Sequence, residues 1–498
     1  MHPTALGRVL QAIAQRPQDS AFIYQGQSLS YRQLGSLLNA GARELRARGI
    51  RPGDAVGIRL RQSPLHCVAV LALLRLGALA VPLRDDPWRS GQDELLARFG
   101  IGTVLADGDV PAGSAAVIRF EQLKAAAAEP DPLPDFHPDP QQPALLALSS
   151  GTTGEPKGVL YSQAGLAQRI DCTVFDWPPR SRFLPPLLNS PVATLSALGA
   201  LGCGATVVFP DSYEFSGLAA AIRAQAVTHL YLTPVTAAAL VAWLPEPAAG
   251  EGPAFPSLRQ LRLLGAAPPE RLIADLRRRC TPWICAPYAT TELGVLSMAT
   301  PESLEAAPRS AGRPMPWVRL EVVDAQGRPL PAGAQGEIRV ATAVMPRAYY
   351  RDAGRSARQF RDGWFYPGDI GRLGQDGLLY VDGRGDEVIN VGGQKVLPAF
   401  IERVLLQHPQ VREAAAFEFR SADGGALPAA AVVAAGPVAD LARYCERELG
   451  VLSPRRLFLL PALPRNDMGK VPRKELPGLV AALARDAAPP QPDALQQP

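Results

Sequence analysis

Apolar positions in the first three-fifths of the chain alternate between two rhythms, and the rhythm names the element. Ser30-Tyr-Arg-Gln33 has the composition of a capping box, Gly49 supplies a stop, and the amphipathic stretch between them predicts a helix. Short β-branched or leucine-rich runs at Asp54–Leu60 and Ala78–Val81 predict strands, with a helix over Pro64–Leu76 between them. After a proline-rich connector at 128–143, an apolar strand runs from Ala144 to Leu148. The alternation then resumes with strands at Ala205–Phe209, His229–Leu232 and Leu261–Leu264. Helices are expected through Ala219–Arg223, after Pro234 and from Pro268. Strand and helix in strict turn imply an α/β fold with helix-covered, mostly parallel sheets.

From Trp317 the pattern changes to short strands divided by Gly, Asp and Pro, including Arg319–Val323 and Glu337–Val340, which predicts a small β subdomain over about 317–382. After Gly383 an α+β pattern follows: strand Glu387–Val391, helix Pro398–Gln407, strand Val411–Phe417 and a helix through Leu441–Glu448. The domain reading is therefore 1–382, then a smaller α+β domain over 383–485. The Pro- and Gln-rich tail 486–498 is expected to be disordered.

Composition narrows the function classes. The chain has 498 residues, enough for two or three domains, and 47% of them are hydrophobic. Its net charge of +4 comes from 51 basic and 47 acidic side chains without a basic run, so nucleic acid is not an expected partner. No apolar run reaches membrane-spanning length and no export signal opens the chain, which reads as a cytoplasmic protein without a membrane partner. The six cysteines (67, 172, 203, 280, 285 and 445) and five histidines form no ligand cluster, so a structural metal is not expected; His229 reads as a strand histidine. Only five basic residues are lysine, and three of them, Lys157, Lys395 and Lys470, stand in glycine-rich contexts where a compact ammonium has a use.

The most chemical stretch is Leu148-Ser-Ser-Gly-Thr-Thr-Gly-Glu-Pro-Lys-Gly158. Gly151, Gly154 and Gly158 would let backbone amides converge on an anion. Ser149, Ser150, Thr152 and Thr153 add hydroxyl donors, and Lys157 adds a point charge suited to phosphate oxygens. The order is not that of a Walker loop.

Further stretches follow in a fixed sequence: Tyr288-Ala-Thr-Thr-Glu292, Tyr366-Pro-Gly-Asp369, Gly383-Arg-Gly-Asp386, Ile389-Asn-Val-Gly-Gly-Gln-Lys395 and Pro464-Arg-Asn-Asp-Met-Gly-Lys470. Together with the loop at 149–158 they resemble the adenylate-forming superfamily of acyl- and aryl-CoA ligases, peptide-synthetase adenylation domains and luciferases. The resemblance extends from Leu29 to Lys470. It implies a large N-terminal domain, a small mobile C-terminal domain, and an active site between them. There a carboxylic acid and ATP, with Mg²⁺, would give an acyl-adenylate and pyrophosphate. Coenzyme A or a carrier-protein phosphopantetheine would then accept the acyl group.

The resemblance also assigns residues. The loop Ser149, Ser150, Gly151, Thr152, Thr153, Gly154 and Lys157 would hold the β- and γ-phosphates, Thr291 the α-phosphate and Glu292 the Mg²⁺. Gly265, Ala266 and Ala267 with Tyr288 would flank the adenine, Asp369 would take the ribose hydroxyls and Arg384 would reach the ribose or phosphates. Lys470 would bridge the substrate carboxylate and the α-phosphate, and Asp386 falls at the family's hinge position.

Three residues depart from the pattern: Ala289 for a glycine, Pro367 for a threonine and Asn390 for a common lysine. The third touches the face used in the second half-reaction and leaves the acceptor open. In Asn189-Ser190-Pro, Asn189 falls where amino-acid-activating relatives carry an aspartate, which disfavours free α-amino acids as substrates. The amide is similar to one that contacts a ring substituent in aryl-acid-activating relatives; capping of the next helix is the alternative. An adenylate-only enzyme with a non-thiol acceptor and a silent ATP-binding homologue are the competing functions. Retention of Lys470 argues against the latter.

Overall fold

A computed structural model of the chain describes residues 4–60, 63–83, 92–108, 114–120, 139–150, 156–186, 191–248, 250–343, 345–391, 394–420, 426–465 and 471–486. It divides into two compact units: residues 1–320, 339–367 and 377–379 form the first, and 321–338, 368–376 and 380–498 the second. The second unit thus draws two short segments from within the stretch read as the β subdomain. The two pair with each other: Gly336 lies opposite Gly371 and Glu337 opposite Ile370, antiparallel.

The first unit holds two large sheets of six and nine strands. In the six-stranded sheet Ala55–Arg59 lies parallel to both Leu79–Pro82 and Thr103–Ala106, and the buried helix Pro64–Leu76 makes the crossover. Its far edge is the antiparallel hairpin of Pro143–Ser150 with Pro156–Ser162, in which Ser149 faces Lys157. In the nine-stranded sheet Arg182–Leu184, His229–Leu232, Gln260–Leu263 and Ile284–Thr290 run parallel in that spatial order, and Gly294–Ala299 turns back antiparallel on the last. Leu230, Leu261, Leu263 and Ile284 from these strands pack with Leu218, Ile222, Leu240 and Leu276 from the covering helices.

The second unit builds a smaller core. Val411–Arg420 pairs antiparallel with Ala426–Ala434, which pairs parallel with Arg456–Leu459. Ile401 and Leu405 of the helix Pro398–Gln407, and Leu441 and Cys445 of the helix Leu441–Leu449, pack on one face of this sheet. Leu476 and Val480 of the last helix pack on the other.

Local signals held where they had a mechanism. Ser30 accepts from the Gln33 amide while the Gln33 side chain accepts from the Ser30 amide, and Gly49 takes a φ of 96°. His229 is the strand histidine expected: its ring lies 4.3 Å from that of Trp177, and burial, aided by Arg262, lowers its pKa to about 4. Two expectations need correcting. The strand read over Glu387–Val391 is a 3-10 turn at Gly385–Glu387 and a strand of only Ile389–Val391, because Glu387 is drawn into an ion pair with Arg473. Gly158 is not there for a left-handed turn: it is paired in the hairpin with Leu148, and a Cβ there would come within 2.8 Å of the Phe99 ring. The residues 487–498 lie outside those described. Among the described residues no helix is long and apolar enough to cross a membrane.

Candidate active site

The parallel strands of the nine-stranded sheet end together, and the residues expected to meet a nucleotide follow those ends, where α/β sheets place their ligands. Gly265, Ala266 and Ala267 follow Gln260–Leu263 after the single residue Leu264, with Gly265 at φ 95°. Tyr288 lies in Ile284–Thr290, opposite Ser297, and a register shift between Tyr288 and Ala289 marks a bulge. Thr291, Glu292 and Leu293 form the tip of the hairpin between Ile284–Thr290 and Gly294–Ala299.

At that tip Glu292 is 3% exposed, yet it remains ionised. Burial alone would raise its pKa. Lys157, whose Nζ donates to Oε1 at 2.5 Å, and the Tyr349 hydroxyl, also at 2.5 Å, together outweigh burial and hold it below the ordinary carboxylate range. Lys157 reaches this point from the hairpin strand Pro156–Ser162, so the pair ties the edge of one sheet to the carboxyl ends of the other. Beside it the Tyr161 hydroxyl donates to the Thr291 carbonyl, and burial pushes that phenol up to about 12.

Tyr349 is the functional residue that sequence reasoning missed. It donates to Glu292, accepts from Lys157 at 3.0 Å, and sits 2.6 Å from the Gln359 amide. One phenolic proton cannot serve both Glu292 and a carbonyl oxygen, so Gln359 must turn its NH₂ towards the ring oxygen. The Lys157 ammonium also lies 4.8 Å from the ring centroid. The weak signal was Tyr349-Tyr350, an aromatic pair in a polar stretch. Its placement depends on a bridge from Tyr349 to Val159 and a bond from the Tyr350 amide to the Gly158 carbonyl, both long-range.

In the second unit Arg384 joins two aspartates. Its Nη1 donates to Asp369 at 3.3 Å and its Nε to Asp386 at 3.2 Å, while the Gly385 amide bonds the Gly368 carbonyl at 2.9 Å. Gly368 takes a φ of 84°, and a Cβ there would lie 3.1 Å from the Arg384 guanidinium. Burial would raise the Asp386 pKa, but Arg384 and Lys474 overcome it and keep the carboxyl low. Next to it Arg473 grips Glu402 through two bonds of 2.8 Å and Glu387 through one of 2.9 Å. Lys395 is exposed on the hairpin of Ile389–Val391 with Gln394–Val396, directly opposite Asn390. A lysine at 390 would set two like charges across one strand pair, which gives the departure at Asn390 a physical reason.

The structure therefore gathers Ser149, Lys157, Thr291 and Glu292 into the first unit with Gly265–Ala267 and Tyr288, and Asp369, Arg384 and Asp386 into the second. Gly151–Gly154, Asn189, Ser190 and Lys470 lie outside the described residues, as does the side chain of Ser150. So does the question of whether Asn189 caps the helix Pro191–Gly202.

Comparison with known proteins identifies the family. Residues 9–350 match the AMP-binding enzyme family and residues 401–470 its C-terminal domain. The chain is 30% identical to an indoleacetate–CoA ligase of Aromatoleum aromaticum over 93% of its own length and 96% of that enzyme. It is 29% identical to a fatty acid–[acyl-carrier-protein] ligase of Streptomyces coeruleorubidus, over 92% and 93%. An O-succinylbenzoate coenzyme A synthetase of Bacillus subtilis, solved in complex with ATP and magnesium ion, superposes with a TM-score of 0.84 at 26% identity, over 94% of this chain and 98% of that one. The motifs and both matched domains occur in the order of the adenylate-forming enzymes, and this chain belongs to the AMP-binding enzyme family as one of its AMP-forming ligases.

Proposed function

We propose that the protein activates an aryl or other non-amino carboxylic acid with ATP and Mg²⁺, and passes the acyl group to the thiol of coenzyme A or of a carrier-protein phosphopantetheine. In the first half-reaction a carboxylate oxygen attacks the α-phosphorus, the bond to the β-phosphate oxygen breaks and pyrophosphate leaves. In the second, a thiolate attacks the acyl carbon and AMP departs. Both steps bring anions together, so the protein's contribution is positioning and charge neutralisation.

The observation that carries this reading is the buried, ionised Glu292 held through Oε1 by Lys157 and Tyr349. A fixed carboxylate suits Mg²⁺, a hard cation that takes carboxylate and phosphate oxygens, and when bound the ion would neutralise phosphate charge. Lys157 stands at the end of the serine- and threonine-rich loop, where it suits the β- and γ-phosphates; Thr291, next to Glu292, suits the α-phosphate. Gly265, Ala266, Ala267 and Tyr288 are assigned to the adenine. Asp369 and Arg384 are assigned to the ribose side, and Lys470 to the reacting carboxylate. Asn189 and Ser190 are assigned to the acid's ring, and the absence of an aspartate at 189 speaks against free amino acids. Residues 383–485 are proposed to be the mobile domain, turning at Asp386. All six cysteines are free thiols, which suits a cytoplasmic setting.

The test is a panel of aryl and aliphatic acids with ATP and Mg²⁺, with the adenylate trapped by hydroxylamine and each hydroxamate identified by mass. Aryl hydroxamates in excess over aliphatic ones support the reading; none from any acid refutes it. Adding coenzyme A or a phosphopantetheinylated carrier to the responding acid then identifies the acceptor, and adenylate that neither thiol consumes points to a non-thiol acceptor.

A further inference from the structure

Beside Glu292 lies a small cavity lined by Gln168, Arg169, Cys172, Trp317 and Thr342 together with Glu292 itself. Its interior, about 10 Å³, has room for roughly one heavy atom of water size. Three buried polar atoms on its lining residues have no hydrogen-bond partner: Arg169 Nε, Trp317 Nε1 and Gln168 Oε1. Arg169 is only 8% exposed, and its side-chain partners are the neutral Thr173 and Tyr161 hydroxyls. Its guanidinium is locked in place: Gly294, at φ 83°, brings its backbone so close that a Cβ would sit 2.9 Å from Arg169.

Charge is out of balance here. Lys157 and Glu292 cancel, and among the described residues no carboxylate is paired with Arg169, so the buried group carries one surplus positive charge. A buried cation without a counter-ion is costly, and the orphaned donor Trp317 Nε1 and the orphaned acceptor Gln168 Oε1 beside it add to the cost. One anionic acceptor atom would relieve all three at once, taking bonds from Arg169 Nε, Trp317 Nε1 and the Gln168 amide turned to present its NH₂.

We propose that this cavity is an anion-binding subsite and that, on the acid-activating reading above, the acid carries a second anionic substituent, a carboxylate or phenolate oxygen, which it receives. Two sources share that chemistry, the substrate's own substituent and a free inorganic anion, and the experiment separates them. In the first arm, pyrophosphate release is measured with benzoate and with the three benzene dicarboxylates. Trp317→Phe removes one donor and keeps the ring, while Gln168→Glu places a fixed carboxylate beside Arg169. The best dicarboxylate should exceed benzoate in kcat/KM by about 10- to 100-fold in the wild type, the range of one charge-assisted hydrogen bond. That ratio should fall below about threefold in both variants. In the second arm, which needs no turnover, thermal unfolding is followed in sodium bromide and in sodium gluconate at equal ionic strength. A bromide-dependent rise in Tm in the wild type that is lost in Gln168→Glu establishes the anion site even if no acid is turned over. That rise without a substituent preference among acids that do react assigns the cavity to a free anion and overturns the substrate part. A substituent preference unchanged in both variants, together with no bromide effect, overturns the proposal.

Discussion

Replacing Lys157 by methionine removes the ammonium from a pair whose carboxylate, Glu292, is 3% exposed, while keeping most of the side-chain volume. Breaking one side of a buried ion pair costs about 3–5 kcal/mol because the remaining charge is left uncompensated. Two features lower that figure: Lys157 is itself 18% exposed, and the Tyr349 hydroxyl still donates to Glu292. The expected loss is about 2–3 kcal/mol at pH 7. The pH dependence gives a sharper test. In the wild type the Glu292 pKa is depressed, so its contribution is present above the unfolded value of about 4.3 and is lost as pH falls through the lower folded value. In Lys157→Met burial goes largely unopposed and the folded pKa rises above the unfolded one, so the penalty is present at neutral pH and is relieved on acidification. The gap between the two proteins should therefore shrink by more than half between pH 7 and about pH 4.5. Urea unfolding at each pH, read at the transition of the first unit, measures it. Adding Glu292→Gln to Lys157→Met should recover part of the loss at pH 7, since no charge is then buried. A gap that is the same at both pH values, or a double variant less stable than the single one, would show that Glu292 is not held ionised by Lys157.

Three further outcomes are expected. Lys470→Ala should lower pyrophosphate release by about 10²–10³ while thioester formation from supplied acyl-adenylate persists, and near-normal release in the variant would refute the assignment. Arg473→Met, which strands Glu387 and Glu402 together in the second unit, should cost about 2–3 kcal/mol, less than a fully buried pair because Arg473 is 26% exposed, seen as earlier unfolding of that unit by urea; an unchanged transition would mean that the two carboxylates find other partners. Asp386→Pro should spare adenylate formation and impair transfer to the thiol, because proline fixes φ at the proposed pivot; equal loss in both half-reactions, assayed separately, would place the pivot elsewhere.

What was legible in the sequence depended on how local its cause was. The capping box at Ser30 and Gln33 and the helices Pro64–Leu76 and Pro398–Gln407 come from neighbouring residues, and each appears where its pattern places it. The motif order carried the family, since residues scattered from Ser149 to Lys470 have no common reason to co-occur except one reaction. Gly158 and Glu387 were misread for the opposite reason. A glycine in a glycine-rich loop looks conformational, yet the ring it accommodates belongs to Phe99, some sixty residues earlier. An acidic residue at the head of an apolar run looks like a strand start, yet its partner is Arg473, far along the chain.

Tyr349 shows the same limit within the site, and it changes how the site should be understood. Read from motifs alone, Lys157 and Glu292 have separate duties, one to phosphate and the other to a metal ion. The structure has them already engaged with each other, with one phenol bonded to both. Burial opposes the charge of a carboxylate 3% exposed; the lysine and the phenol together outweigh it and hold the pKa below the ordinary value. No short motif can encode that dependence, since its three members come from a hairpin edge, a strand-end turn and a segment nearly sixty residues further on. A rule that assigns each motif residue one partner therefore omits the groups that keep the motif in its working ionisation state, and Tyr349 belongs among them.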